Sequence, residues 1–121
     1  MKTTGPTNLQ TQKVIAALEK AGRKRKQKIW LDVARLLAKP RRARASVNVW
    51  KLSRLAKKFR GKIFLVPGKI LGQGAVEGKI TAAALEFSGS AKKALAEKGE
   101  ALTLPELLEK KIEPKEIMIV K

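Results

Sequence analysis

The chain has no cysteine, no histidine and no tyrosine, and a single aspartate among its 121 residues. Without cysteine there are no disulfides and no thiolate metal sites. Without histidine, the commonest general base and the commonest metal ligand are both missing. What remains offers no catalytic constellation, no metal-ligand set and no cofactor motif, so the sequence predicts a protein that is not an enzyme and has no small-molecule substrate. No apolar run approaches the roughly eighteen residues of a membrane span, and the first residues lack the apolar stretch of a signal peptide. The expected setting is soluble and intracellular. Acid is scarce too, and unevenly so. Residues 1–60 hold eighteen Lys/Arg against Glu19 and Asp32, a net +16; residues 61–121 hold ten Lys/Arg against eight Glu, a net +2.

A total of +18 on so small a chain is costly in self-repulsion unless a polyanion neutralises it. Nucleic acid is the obvious partner, although charge alone also fits an anionic membrane surface. The length suits one compact domain that buries about two thirds of its unfolded surface. We expect residues 1–44 to form a basic N-terminal arm with two helices lying outside the core. Residues 45–121 should form the α/β core.

In chain order, residues 1–8 are polar with Gly and Pro, an arm expected to order only on its partner. Thr7 or Asn8 can cap a helix whose apolar positions are Val14, Ile15, Leu18 and Ala21, with Gly22 ending it. Arg23 to Lys28 then reads as a basic loop, also expected to order on binding. A second helix carries Ile29, Val33, Leu36 and Leu37 on one face and stops near Lys39, because Pro40 disfavours helical geometry before it. Two helices in a row invite a helix-turn-helix reading, but the basic joint is too long for that turn. Pro40 to Ala45 is a further basic linker.

From Ala45 the pattern repeats at an offset of 55 residues. Ser46 to Leu52 matches Ala101 to Leu107, and Lys62 to Leu65 matches Ile117 to Val120. Each copy reads as strand, cap (Asn48 or Thr103), helix, strand. Thr103-Leu104-Pro105-Glu106 is a capping box with proline in the first turn. This predicts a small, mostly parallel sheet with helices, built from two related strand–helix–strand units. Between the copies, Lys79 to Phe87 reads as a strand of small side chains. Ser88 or Ser90 then caps a helix that turns Ala91, Ala94 and Leu95 inward and closes at Gly99.

Ile63 to Val66 suits a short strand buried on both faces, with Pro67 ending it and Gly68 taking the positive φ of a turn. Ile70-Leu71 and Gly72-Gln73-Gly74 would complete a hairpin elbow, from which Lys69 reaches a phosphate. The glycine spacing matches neither a P-loop nor a dinucleotide fingerprint. Over residues 49–59, helical spacing turns Val49, Leu52, Leu55, Ala56 and Phe59 inward. Lys51, Arg54, Lys57 and Lys58 face outward, and Trp50 falls among them. Trp50 either stacks on an unpaired base or packs under the N-terminal helices beside Trp30.

These stretches resemble the archaeal and eukaryotic L-eighteen-e family of large-subunit ribosomal proteins, related to bacterial L-fifteen. The likeness runs nearly end to end. It is carried by Lys2-Thr3-Thr4-Gly5-Pro6-Thr7-Asn8, Trp30 with Val33-Ala34, Pro40-Arg41-Arg42-Ala43-Arg44, Val47-Asn48 and, most specifically, Val66 to Gly74 followed by Lys79 to Ala84 and Phe87-Ser88. Leu9 stands where the family usually has proline. Lys98-Gly99 and Ile112-Glu113-Pro114 also depart from the usual pattern. The resemblance implies a non-catalytic structural constituent of the large subunit, cytoplasmic and with no membrane partner, bound to large-subunit ribosomal RNA beside other ribosomal proteins, and the length favours an archaeal source. A non-specific DNA-binding or chromatin protein is the alternative. Candidate RNA contacts are Lys2, Arg23, Lys24, Arg25, Lys26 and Lys28; Arg41, Arg42, Arg44 and Asn48; and Trp50, Lys51, Arg54, Lys57, Lys58, Arg60 and Lys69. Arg41, Arg42, Arg44, Lys51, Arg54 and Lys57 are expected at the centre.

Overall fold

The computed structural model describes residues 9–74, 76 and 78–121, apart from the side chains of Leu9 and Arg41. Lys2, the capping role expected of Thr7 or Asn8, and the rest of the N-terminal arm lie outside the described residues.

Two helices open the fold, α1 (Leu9–Arg25) and α2 (Lys28–Leu37). Gly22 does not end α1. The amide of Gln27 donates back to the Gly22 carbonyl at 3.1 Å, and Lys26 takes φ +56°. That is the closure usually made with glycine, made here by lysine. The expected basic loop is therefore mostly the last turn of α1, and only Lys26 and Gln27 join the helices. Gly22 is buried because α2 crosses there.

A 3-10 turn (Arg41–Ala43) leads to β1 (Ala45–Asn48), α3 (Val49–Lys58) and β2 (Ile63–Leu71). A loop follows, then β3 (Thr81–Phe87), α4 (Gly89–Lys98), β4 (Glu100–Thr103), α5 (Leu104–Glu109) and β5 (Ile117–Ile119). Every described strand pairing is parallel. The order is β1-β2-β3-β4, and β5 shares an edge of β2 with β1. The two related units are therefore β1-α3-β2 and β4-α5-β5.

β2 runs through Pro67, where the sequence predicts a stop. Its first residues, Ile63 to Leu65, pair with β5, and Gly68 to Leu71 pair with β1. Pro67 falls in the gap between them, and on the other edge the register with β3 shifts between Val66 and Lys69. No ladder bond is asked of its missing N–H. Gly68 needs no positive φ; a Cβ there would come within 2.0 Å of the Ala45 backbone oxygen, so glycine lets β1 approach. No hairpin forms after it. β3 instead begins at Thr81, in parallel with β2.

The sheet is covered on both faces. The steps from β1 through β4 move one way across it with α3 and α4 on one face; the return from β4 to β5 carries α5 on the other, as connections of a single hand require. Phe64, Val66, Ile70, Ala82 and Ala84 pack with Leu52 of α3 and Leu95 of α4. Leu65, Ala83, Leu102 and Ile117 pack with Leu104 and Leu107 of α5, and with Leu18, Trp30, Val33 and Leu37. The basic arm's helices therefore do not stand outside the core: α1 and α2, with α5, build its layer on one face of the sheet. Each of those large side chains contributes roughly 1.5–3 kcal/mol by leaving water. In the middle of the sheet, Ala82, Ala83 and Ala84 are fully buried and let helices approach from both sides.

The caps divide. Ser88 accepts from the Ala91 amide at 3.1 Å, and Thr103 and Glu106 close the reciprocal box on α5. Asn48 has the extended backbone of a cap, but its side chain makes no capping bond and its Oδ1 is buried without a hydrogen-bond partner.

Candidate nucleic-acid interface

Helix α3 lies on the sheet through Val49, Leu52 and Ser53, all buried, and presents Trp50, Arg54, Lys57 and Lys58 to solvent. Two of these cations, Lys57 and Lys58, occupy the last turn, where the negative end of the helix dipole favours them. Lys51 sits at the flank, half-buried, its ammonium 3.4 Å from the backbone oxygen of Lys121. The spacing was read correctly except at one end: Phe59 is 40 % exposed, because the backbone leaves helical geometry there.

Trp50 does not pack beside Trp30. Trp30 is fully buried on the opposite face of the sheet, its indole N–H donating to Gln27 Oε1, whereas Trp50 is 41 % exposed. The loop after β2 holds the outer indole in place. The Trp50 amide donates to the Gln73 carbonyl at 3.4 Å, and Gly74, at φ +94°, lies so close that a Cβ would come within 2.5 Å of Trp50 Cβ. The Arg54 guanidinium carbon is 5.7 Å from the ring centroid, within cation–π range. Trp50, Lys51, Arg54, Leu55, Lys57 and Lys58 line a shallow groove of about 630 Å³.

A second groove of about 380 Å³ continues past the end of α3, lined by Lys57, Phe59, Arg60, Lys62 and Lys79 above Ala56 and Phe64. The sequence reading omitted Lys62 and Lys79. Gly61 and Gly78, both at positive φ, line the same groove beside them. Lys62 donates to the Lys115 backbone oxygen, so Lys79 is the cation this groove adds. No acidic residue occurs in the sequence between Asp32 and Glu77, so α3 and the residues that follow it to the end of β2 come from an acid-free stretch, and Lys79 joins them from beyond Glu77.

The remaining candidates lie elsewhere. Arg23, Lys24, Lys26 and Lys28 are exposed around the α1–α2 corner, on the face of the sheet opposite α3. Arg25, among them in sequence, turns inward: its Nη2 donates to the Leu108 carbonyl at 2.9 Å and its Nη1 is buried without a partner. Arg42 is exposed in the 3-10 turn, and Arg44 donates to the Lys39 carbonyl at 3.3 Å. Lys69 is a half-buried strand residue opposite Ser46 and Glu86, not the tip of an elbow. On α2, the exposed positions include Leu31 and Arg35, and Arg35 pairs with Asp32 at 3.7 Å, so this helix offers no basic reading face.

Among the described residues, no group of acidic side chains is placed to hold a metal ion, and no helix is long and apolar enough to cross a membrane. Glu106 has its carboxyl held below the ordinary range, chiefly by the Thr103 amide that donates to it and then by the Thr103 hydroxyl. That is helix capping, not acid–base chemistry.

No protein-family model matches the chain. It is 46 % identical to large ribosomal subunit protein eL18 of Methanopyrus kandleri, over 97 % of this chain and 95 % of that protein. The protein of the same name from Pyrobaculum aerophilum is 45 % identical over 88 % of this chain and 87 % of its own length. That from Haloarcula marismortui is 36 % identical over 95 % and 97 %.

Proposed function

Because the chain belongs to the large ribosomal subunit protein eL18 family, we propose that it is a structural constituent of an archaeal large ribosomal subunit, working in the cytoplasm and binding that subunit's RNA through its basic N-terminal half. Its other partners in this reading are neighbouring large-subunit proteins. The observation that carries the RNA-binding step is the outer face of α3 with the groove beyond it: Arg54, Lys57, Lys58, Arg60 and Lys79 all reach solvent, and the charged residues described as lining the two grooves are all cations. Cations so arranged neutralise phosphates and release their counterions, which positions a protein without reading sequence. Specificity then comes from RNA shape, since side chains cannot read the deep major groove of an A-form helix. The fold serves as the rigid backing. The inward stripe of α3 is locked to the sheet, so the cations start from fixed Cα positions.

The test is a salt titration. If about eight phosphates are neutralised, affinity for large-subunit RNA falls roughly 10³-fold or more between about 50 and 200 mM salt. The protein should also prefer folded ribosomal RNA to duplex DNA at moderate salt and stay with the large subunit through a high-salt wash. A flat salt response removes the phosphate mechanism; equal affinity for duplex DNA favours a general DNA-binding protein.

A further inference from the structure

We infer that the groove beside Trp50 is a nucleobase site: it takes one unpaired base of the bound RNA, stacked on the indole, while Lys57 and Lys58 hold the flanking phosphates. This rests on the RNA-binding reading and adds to it the chemical class of ligand at one place on the surface.

Three observations converge. A tryptophan that is 41 % exposed sits on the surface of a protein whose other tryptophan is fully buried, so its exposure is not forced by lack of room in the core. The fold spends a special backbone position on holding it there, because Gly74 at φ +94° leaves no space for a side chain against Trp50. The Trp50 amide is tied to the same loop through Gln73. An indole so braced loses little further entropy when a planar ligand arrives. Lastly, among the described residues the charged side chains lining the groove are all cations, with Arg54 at the side of the ring and Lys51, Lys57 and Lys58 around it. An aromatic plane inside a basic rim matches a nucleotide in both parts: base on the indole, phosphates on the lysines.

The base has to be unpaired. In an A-form duplex the faces of the bases are stacked on one another, and an indole standing on a convex helix has no access to them. A bulged, looped or terminal nucleotide has a free face. Base–aromatic stacking is tolerant of base identity, so the preference expected is for unpaired over paired rather than for one sequence.

The experiment uses the full chain and two short RNA hairpins that differ in one position, where 2-aminopurine is either bulged or paired. The wild-type protein should bind the bulged hairpin on the order of ten- to hundredfold more tightly and quench its fluorescence. Trp50→Ala should abolish both the preference and the quenching while leaving the slope of affinity against salt unchanged. Trp50→Phe should retain part of each. Lys57→Ala with Lys58→Ala should weaken both hairpins equally and lower that slope. If Trp50→Ala keeps the preference for the bulged RNA, or if the wild type shows none while the salt slope stays steep, the base site is overturned and the phosphate reading stands. A flat slope with wild-type protein would remove the phosphate reading instead.

Discussion

The guanidinium of Arg25, at the end of α1, donates to the carbonyl of Leu108 in the last turn of α5. It joins the basic half of the chain to the nearly neutral half across 83 residues of sequence. A cation at a helix C-terminus is favoured by the dipole as well as by the hydrogen bond. Arg25→Ala leaves the Leu108 carbonyl without this donor and should cost about 1.5–3 kcal/mol of stability, the range for a bond to a charged group. Because Arg25 is turned inward, the variant's salt slope for RNA should match the wild type. A denaturant melt and a salt titration on the same preparation check both halves. A lowered slope with unchanged stability would return Arg25 to the binding surface.

Gly68→Ala should be severe for a different reason. Its Cβ would meet the Ala45 oxygen at 2.0 Å, the Ala45 carbonyl carbon at 2.9 Å and its nitrogen at 3.0 Å, all backbone atoms that move only if β1 leaves the sheet. The expected loss is at the upper end of overpacking, about 3 kcal/mol or more. Gly61→Ala is the comparison. It has φ +79° but nothing within 4 Å, so it pays only the left-handed strain of about 1–2 kcal/mol. If the two variants melt alike, close approach is not what Gly68 supplies.

That contrast shows what was legible in the sequence. Periodicity and caps are local, and they served well: Val33 and Leu37 of α2, Val49 and Leu52 of α3, the small side chains of β3, the Ser88 cap and the Thr103–Glu106 box stand where the pattern put them, although α2 buries Trp30 and Ala34 more deeply than Ile29 and Leu36, and Phe59 is exposed. What failed was long-range. Pro67 is tolerated only because two different strands, β1 and β5, share one edge of β2 and leave a gap between them. Gly68 and Gly22 are small because of Ala45 and Leu31, each brought there by the tertiary fold. At the candidate interface, the outward cations of α3 followed from helical spacing. Trp50 could not be decided that way, since helical spacing says which side a residue is on but not whether another element covers it. Lys79 was missed because it joins the surface only through the pairing of β2 with β3.

The capping box on α5 carries a pH signature. The Glu106 carboxyl is lowered by the Thr103 amide and hydroxyl, so the folded chain holds its charged form better than the unfolded chain does. The resulting stabilisation is full above the unfolded value of about 4.3 and is lost as pH falls through the lowered folded value. Glu106 is exposed, so solvent screening keeps the effect small. Thr103→Ala removes the other half of the box and should cost about 1 kcal/mol. In thermal melts across acidic pH, Glu106→Gln should lie below the wild type at neutral pH and converge with it in acid. A gap that persists unchanged to low pH would mean that the carboxylate charge is not what the box uses.

The sharpest separation between a localised RNA surface and a general positive field comes from two adjacent helices. α3 and α4 pack on the same face of the sheet, and each carries three exposed cations: Arg54, Lys57 and Lys58 on one, Lys92, Lys93 and Lys98 on the other. Replacing either set with Ala removes the same formal charge from the same side of the molecule. Neither set is buried, so both variants should fold, with stability changed by no more than roughly 0.5 kcal/mol per site. If phosphates sit along α3, its triple variant should lose the contacts of up to three of them and flatten the salt slope by about 3. The α4 set lies outside the Trp50 groove, and its variant should keep a slope near that of the wild type. Arginine and lysine are not equivalent here: Arg54 presents a planar fork beside the indole, whereas Lys57 and Lys58 act as point charges. Arg54→Lys in an otherwise intact protein should therefore weaken binding without changing the slope. If the α3 and α4 triple variants lose affinity and slope equally, RNA responds to net charge alone, and no particular face of this fold is the interface.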